Sequence, residues 1–195
     1  MNKKPIVIER TTNETRVRVE LGGGSEILSV RTPIPMFSHL LEQLGFYWGA
    51  GLVVEAEEPV PCGDGHHLVE DTAITLGQAL DQWLGERKGI QRFGQRWLPM
   101  DDALVLAVVD LGGRPWVGLD LPLAAPILGS GLLTENILHF WRSFAFAARM
   151  TLHLKATGEN SHHLIEATFK AAGMALREAL TPWEGGVRST KGVLV

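Results

Sequence analysis

An internally duplicated α+β fold is predicted by three features of this 195-residue chain. Two histidine pairs recur in matching contexts 96 residues apart, His66-His67-Leu68-Val69-Glu70 and His162-His163-Leu164-Ile165-Glu166. The register continues through Thr72/Thr168, Gly77/Gly173, Ala79/Ala175, Leu80/Leu176 and Leu84/Leu180. It gives 9 identities in the 19 positions of 66–84 set against 162–180, which reads as a repeat rather than two unrelated helices. A lone histidine, His39 or His139, precedes each pair and opens a helical stretch, His39 to Phe46 and His139 to Phe146.

The elements follow in order. From Thr15 to Leu21 the chain alternates, with Val17, Val19 and Leu21 on one face and Arg16, Arg18 and Glu20 on the other, the pattern of a half-buried strand. Gly22-Gly23-Gly24 reads as a hairpin turn between strands and not as a phosphate loop, because no helix pattern follows it. Leu52–Glu57, Ala103–Asp110, Trp116–Leu121 and Thr151–Ala156 are further strands, and Trp116–Leu121 is apolar enough to be central. Residues 66–84 carry Val69, Ala73, Leu76, Leu80 and Leu84 at helical spacing, and 162–180 matches them. Each half therefore runs strands, helix, strand, helix. The expectation is one compact pseudo-dimer of residues 1–93 and 94–195, with helices packed against sheets.

Composition bounds the function. The formal charge is 18 − 22 = −4, without the basic excess of a nucleic-acid binder. The single cysteine, Cys62, excludes an internal disulfide framework and points to a reducing compartment. Charge returns after three apolar residues in Met1 to Arg10, so no signal-peptide core is present there. No apolar run approaches the ~20 residues that span a bilayer. The expected setting is the cytoplasm, with neither a membrane nor a nucleic acid as partner.

The histidines carry the chemistry. A histidine and a glutamate four apart on a helix project from one face, so His66/Glu70 and His162/Glu166 can each chelate a cation. His67 and His163 point about 100° away and reach a different ion. The arrangement that uses every ligand has two sites related by the repeat. One takes His66, Glu70, His163 and His139; the other takes His162, Glu166, His67 and His39. Three imidazoles and a carboxylate suit Mn²⁺, Fe²⁺, Co²⁺ or Zn²⁺. His153 has no repeat partner and reads as a core or surface histidine.

Together these segments resemble the imidazoleglycerol-phosphate dehydratases. The resemblance covers nearly all of residues 9–194 and rests on several ordered motifs. They are His66-His67-x-x-Glu70-Asp71-Thr72-Ala73-Ile74, Gly89-Ile-Gln-Arg92-Phe93-Gly94, Pro99-Met100-Asp101, Gly113-Arg114-Pro115, Thr134-Glu135-x-x-x-His139-Phe140, His162-His163-x-x-Glu166-Ala167-x-Phe169-Lys170-Ala171 and Ser189-Thr190-Lys191-Gly192. The resemblance implies a helical layer between two four-stranded sheets and a 24-subunit homo-oligomeric cage. It implies intersubunit active sites holding two Mn²⁺ each, and a small-molecule phosphate substrate. The implied reaction is dehydration of imidazole glycerol phosphate to imidazole acetol phosphate in histidine biosynthesis, with the two ions stabilising an imidazolate. Arg92, Arg114, Lys170, Ser189 and Lys191 would hold the phosphate through charge-assisted bonds. Glu14 is the matching proton-transfer group, with Glu166 a second candidate through its metal position; alternatively Glu14 is a strand-end charge.

The first half departs from the family pattern. Pro33-Ile34-Pro35-Met36-Phe37-Ser38-His39 stands where the family has glycines and an aspartate before the histidine. Tyr47-Trp48 replaces a histidine and glycine, and Asp64-Gly65 precedes His66 where two aspartates are usual. A carboxylate beside a metal-bound imidazole makes it more basic, so Ser38 is expected to leave the His39 ion the weaker of the two. Two readings stay open: an active lyase with a remodelled pocket, or a metal-bound homologue that is a structural paralogue or acts on another imidazole-like phosphate.

Overall fold

A computed structural model describes residues 4–60 and 63–194, so Cys62 and the first three residues lie outside the described structure. Two four-stranded sheets enclose a layer of four helices, an α+β arrangement in which both halves repeat one element order. The first half is β1 (Ile6–Thr11), β2 (Arg16–Leu21), β3 (Leu28–Arg31), α1 (Pro35–Trp48), β4 (Leu52–Glu57) and α2 (His66–Leu84). The second half is β5 (Phe93–Met100), β6 (Ala103–Asp110), β7 (Trp116–Asp120), α3 (Thr134–Ala147), β8 (Thr151–Thr157) and α4 (Ser161–Ala179). The sheets run β1-β2-β4-β3 and β5-β6-β8-β7. In each, the last two strands are parallel, β3 with β4 and β7 with β8, and a helix makes the crossover.

Two sequence expectations change here. Gly22 to Gly24 do not close a hairpin, because β4 lies between β2 and β3. The glycines carry the chain across the start of β4, with φ of 111°, 88° and 108°. A methyl on Gly51 would lie within 2.5 Å of the Gly24 carbonyl oxygen, so the two backbones touch at that crossing. The Trp116–Leu121 run is an edge strand, not a central one. Val117, Leu119 and Leu121 pack partly buried against the core, while Trp116 is 61% exposed on the outer face.

Helices pair across the halves: α1 packs on α4, and α2 on α3. Both pairs run parallel, since His39 meets Glu166 while Leu44 meets Gly173, and His139 meets Glu70 while Phe144 meets Gly77. Phe37 of α1 stands edge-on to Phe140 of α3 at 5.8 Å, and Phe140 tilts against Phe169 of α4 at 5.2 Å. Each of these fully buried rings is worth roughly 1.5–3 kcal/mol of burial. Gly65, just before α2, touches Ile34, just before α1. The histidine-bearing turns of all four helices are thereby brought to one edge of the layer.

The sheets differ on their outer faces. Arg18 on the first sheet pairs with Glu20 at 2.9 Å and with Glu9 and Glu55 at 3.7 Å each. The second sheet exposes Phe93, Trp97, Leu104 and Trp116. Among the described residues, no helix is long and apolar enough to cross a membrane.

Candidate metal centre

Helical spacing puts His66 and Glu70 one turn apart on α2, and α3 lies alongside to supply His139. His139 Nε2 is 3.0 Å from Glu70 Oε1. The His66 and His139 rings stack at 4.6 Å with 25° between their planes. Among the described residues, these three form a group whose ligand atoms all lie within 4.8 Å of one another. His139 Nε2 is shielded from solvent and has no hydrogen-bond partner, since its approach to Glu70 is close but misaligned. A buried nitrogen facing a carboxylate without a hydrogen bond is the arrangement a shared cation satisfies. The donor set fits a borderline divalent ion.

The repeat builds the counterpart from α1 and α4. Glu166 Oε2 is 3.1 Å from His162 Nε2 and 3.4 Å from His39 Nε2. Its other oxygen lies 2.8 Å from Lys170 Nζ. Burial alone pushes the Glu166 carboxyl pKa up; the Lys170 ammonium and His39 more than offset this, and the net shift is downward. Asn160 caps α4, its side chain accepting from the His162 N–H at 2.9 Å and the His163 N–H at 3.4 Å. That cap satisfies two free N–H groups of the turn that carries both histidines.

The second histidine of each pair is placed differently from the sequence expectation. Within one chain, His163 does not join His66, Glu70 and His139, nor does His67 join the set with His39; each turns to the hairpin of its own half. His67 Nδ1 is 2.6 Å from Glu14 Oε2, in the β1–β2 turn. His163 Nδ1 donates to Asp102 Oδ1 at 2.6 Å, in the β5–β6 turn, and its Nε2 is 3.6 Å from Asp101. The cause is the 100° step between helix neighbours, which aims these rings sideways at the sheets. The two turns are held by different means. Asp102 Oδ2 also accepts from the Glu159 and Asn160 N–H groups at 2.6 and 2.9 Å. The His163 bond first, then those two, hold the Asp102 carboxyl far below the usual carboxylate range. The Glu14 turn is tied instead through Thr15, whose hydroxyl donates to buried Asp71, itself 2.6 Å from Arg10 Nε.

A family model described as imidazoleglycerol-phosphate dehydratase matches residues 32–176, a span holding all seven histidines. The chain belongs to the imidazoleglycerol-phosphate dehydratase family. Dehydratases of that name from Pyrobaculum arsenaticum and Metallosphaera sedula are 49% and 45% identical to it. Each alignment covers 95% of this chain, with 98% and 96% of the relative. Among solved structures, IGPD from Pyrococcus furiosus in complex with (S)-C348 shares 39% identity at a TM-score of 0.83, covering 96% of this chain and all of that one. Imidazoleglycerol-phosphate dehydratase from Staphylococcus aureus shares 31% at 0.82, covering 92% of this chain and 100% of that one.

Of the five residues that the family pattern assigns to phosphate, four gather at one end of the second sheet. Arg92 forms a fork with Asp110 at 2.6 and 2.9 Å and donates to the Arg188 carbonyl at 3.1 Å, next to the Ser189–Lys191 segment. Arg114 is exposed, and its carbonyl accepts from Thr151, the residue paired with Asp110. Lys170 stands apart. It lies nine residues before Ala179, whose carbonyl accepts from the Arg92 N–H, so about 13 Å of helix separates the two levels. Its partners are Glu166, Met100 Sδ at 3.7 Å and the Tyr47 ring at 5.9 Å.

Ser38 does not act on His39. Its hydroxyl accepts from the Thr32 N–H at 3.1 Å and shares a 2.9 Å bond with the Thr32 hydroxyl, so it closes the β3–α1 turn. The side chain at position 38 is thus turned toward Thr32, and no carboxylate supports His39 from there. His153 is an exposed residue of β8, outside the cluster. Two residues at the site were not singled out from the sequence: Asp102, and Asn136, which touches His66. Asn136 gave one signal, a polar residue one turn before His139 within an otherwise apolar stripe.

Proposed function

We propose that this chain is a metal-dependent hydro-lyase that dehydrates imidazole glycerol phosphate to imidazole acetol phosphate in histidine biosynthesis. The observation that carries the reading is the pair of repeat-related His/His/Glu sets, one with an orphaned imidazole nitrogen. Two Mn²⁺ ions per site fit these donors, His66, Glu70 and His139 holding one and His39, His162 and Glu166 the other. Bound there, the ions supply Lewis-acid polarisation of the substrate's imidazole nitrogens and favour its imidazolate form.

The chain's own groups do the rest. The reaction removes a carbon-bound proton and expels the hydroxyl from the adjacent carbon. Glu14, half exposed and beside His67, is placed to move that proton. Lys170 holds one oxygen of Glu166 and leaves the other facing the histidines. Arg92, Arg114, Ser189 and Lys191 are the phosphate end, with Lys170 contributed from a neighbouring site. The outward nitrogens of His67 and His163 are completed by a second copy of the chain, and the apolar outer face of the second sheet supports a homo-oligomer, a 24-subunit cage by family resemblance.

Metal analysis and turnover on Mn²⁺-reloaded protein test this. Two ions per chain are expected, with turnover of imidazole glycerol phosphate that chelation abolishes. His139→Gln is expected to bind one ion fewer and to lose activity. Full metal loading without turnover would make the chain a metal-binding paralogue; fewer than one ion per chain would remove the two-ion reading.

A further inference from the structure

Asn136 is a carboxamide on α3 with only 1% of its surface exposed, and both ends of it are committed. Its Nδ2 donates to the Asp64 carbonyl at 2.8 Å. Its Oδ1 lies 3.2 Å from His66 Nδ1. The Asp64 carbonyl can only accept, so the amide nitrogen must face it and the amide oxygen must face His66. That oxygen can also only accept. His66 Nδ1 therefore carries the proton, and the neutral ring is left with its lone pair on Nε2. This is the tautomer a free histidine side chain favours less in water, so something must select it.

We propose that Asn136 is a positioning residue that selects the Nδ1–H tautomer of His66 and thereby presents Nε2 to an ion shared with Glu70 and His139. The consequence for the ion rests on the metal-site reading above; the tautomer does not. At the other set, position 36 aligns with 136 and is Met36, which has no side-chain acceptor of comparable strength. The selection is a property of one set only.

Two variants separate this role from a structural one. Asn136→Leu and Asn136→Asp both lose the bond to Asp64, but only the aspartate keeps an acceptor for His66 Nδ1. ¹⁵N magic-angle-spinning spectra of metal-free, histidine-labelled protein read the tautomer directly, with His66→Gln assigning the His66 signals. Parent and Asn136→Asp are expected to show a protonated Nδ1 and a bare Nε2, and Asn136→Leu to move the proton to Nε2. In chelator-competition titrations with Co²⁺, Asn136→Leu should weaken one ion by roughly 10–100-fold, as loss of a ligand's supporting hydrogen bond does. Asn136→Asp should stay within a few-fold of the parent.

A parent His66 protonated at Nε2 overturns the proposal. So does an equal loss of Co²⁺ affinity in both variants, which would mean that Asn136 only holds the Asp64 turn. A parent with the Nδ1–H tautomer that binds no Co²⁺ at this set removes the metal reading and leaves the selection standing.

Discussion

Alanine at Gly77 or Gly173 should destabilise the protein, although alanine normally improves a helix interior by about 0.5–1 kcal/mol over glycine. A methyl on Gly77 would sit 2.6 Å from both the Phe144 carbonyl oxygen and Ala147 Cβ, and 2.8 Å from the Ala148 nitrogen. Two of these are backbone atoms, so no rotamer change relieves the clash. Comfortable contact needs ~3.5 Å, and α2 must therefore move off α3 by about 0.9 Å. Overpacking on this scale costs about 1–3 kcal/mol, and after the propensity gain a net loss of up to about 2.5 kcal/mol remains. For a chain of this size that lowers the melting midpoint by up to about 10 °C.

The geometry adds a second signature. Gly77 lies seven residues beyond Glu70, about 10 Å along the axis, and Gly173 lies the same distance beyond Glu166. Parting α2 from α3 draws His139 away from Glu70. Gly173→Ala, whose methyl would meet the Leu44 carbonyl oxygen at 2.6 Å and the Trp48 nitrogen at 2.9 Å, draws His39 away from Glu166. Each variant should weaken one ion in Co²⁺ titration, and the two should weaken different ions. Thermal unfolding of metal-free protein gives the stability. A raised midpoint, or the same ion weakened in both variants, would refute the reasoning.

Removing the Ser38 hydroxyl should lower stability by about 1 kcal/mol through its lost bonds to Thr32, and leave Co²⁺ affinity unchanged at both sets. Ser38→Asp should also leave both affinities unchanged; a tightened single ion would show a role toward His39 after all. Asp102 and Glu166 have folded-state pKa values depressed from their ordinary 3.8 and 4.5, so each contributes stability above those values. That contribution is lost as pH falls through the folded values. Urea midpoints of metal-free protein should accordingly fall on acidification below about pH 4, and Asp102→Asn should flatten part of that decline.

The sequence by itself determined the duplication, the α+β class and the four helices, because periodicity and the i,i+4 relation of His66 to Glu70 and His162 to Glu166 are set by local backbone geometry. Its ordered motifs also carried the family. Strand order was not legible: alternation reports which face is buried and says nothing about which strand lies next door. So Gly22 to Gly24 passed for a hairpin, and Trp116–Leu121 for a central strand. The short or edge strands β1, β3 and β5 carried too little pattern to stand out. Only the tertiary structure decided where His67 and His163 turn, what Ser38 holds, and that Asn136 touches His66. His67, His163 and Asn136 meet partners that packing brings in from other elements, 70 residues away for Asn136 and His66, while Ser38 meets Thr32 in the turn before its own helix. A residue's spacing along its own helix fixes the direction in which it points, and only the assembled layer fixes what it meets there.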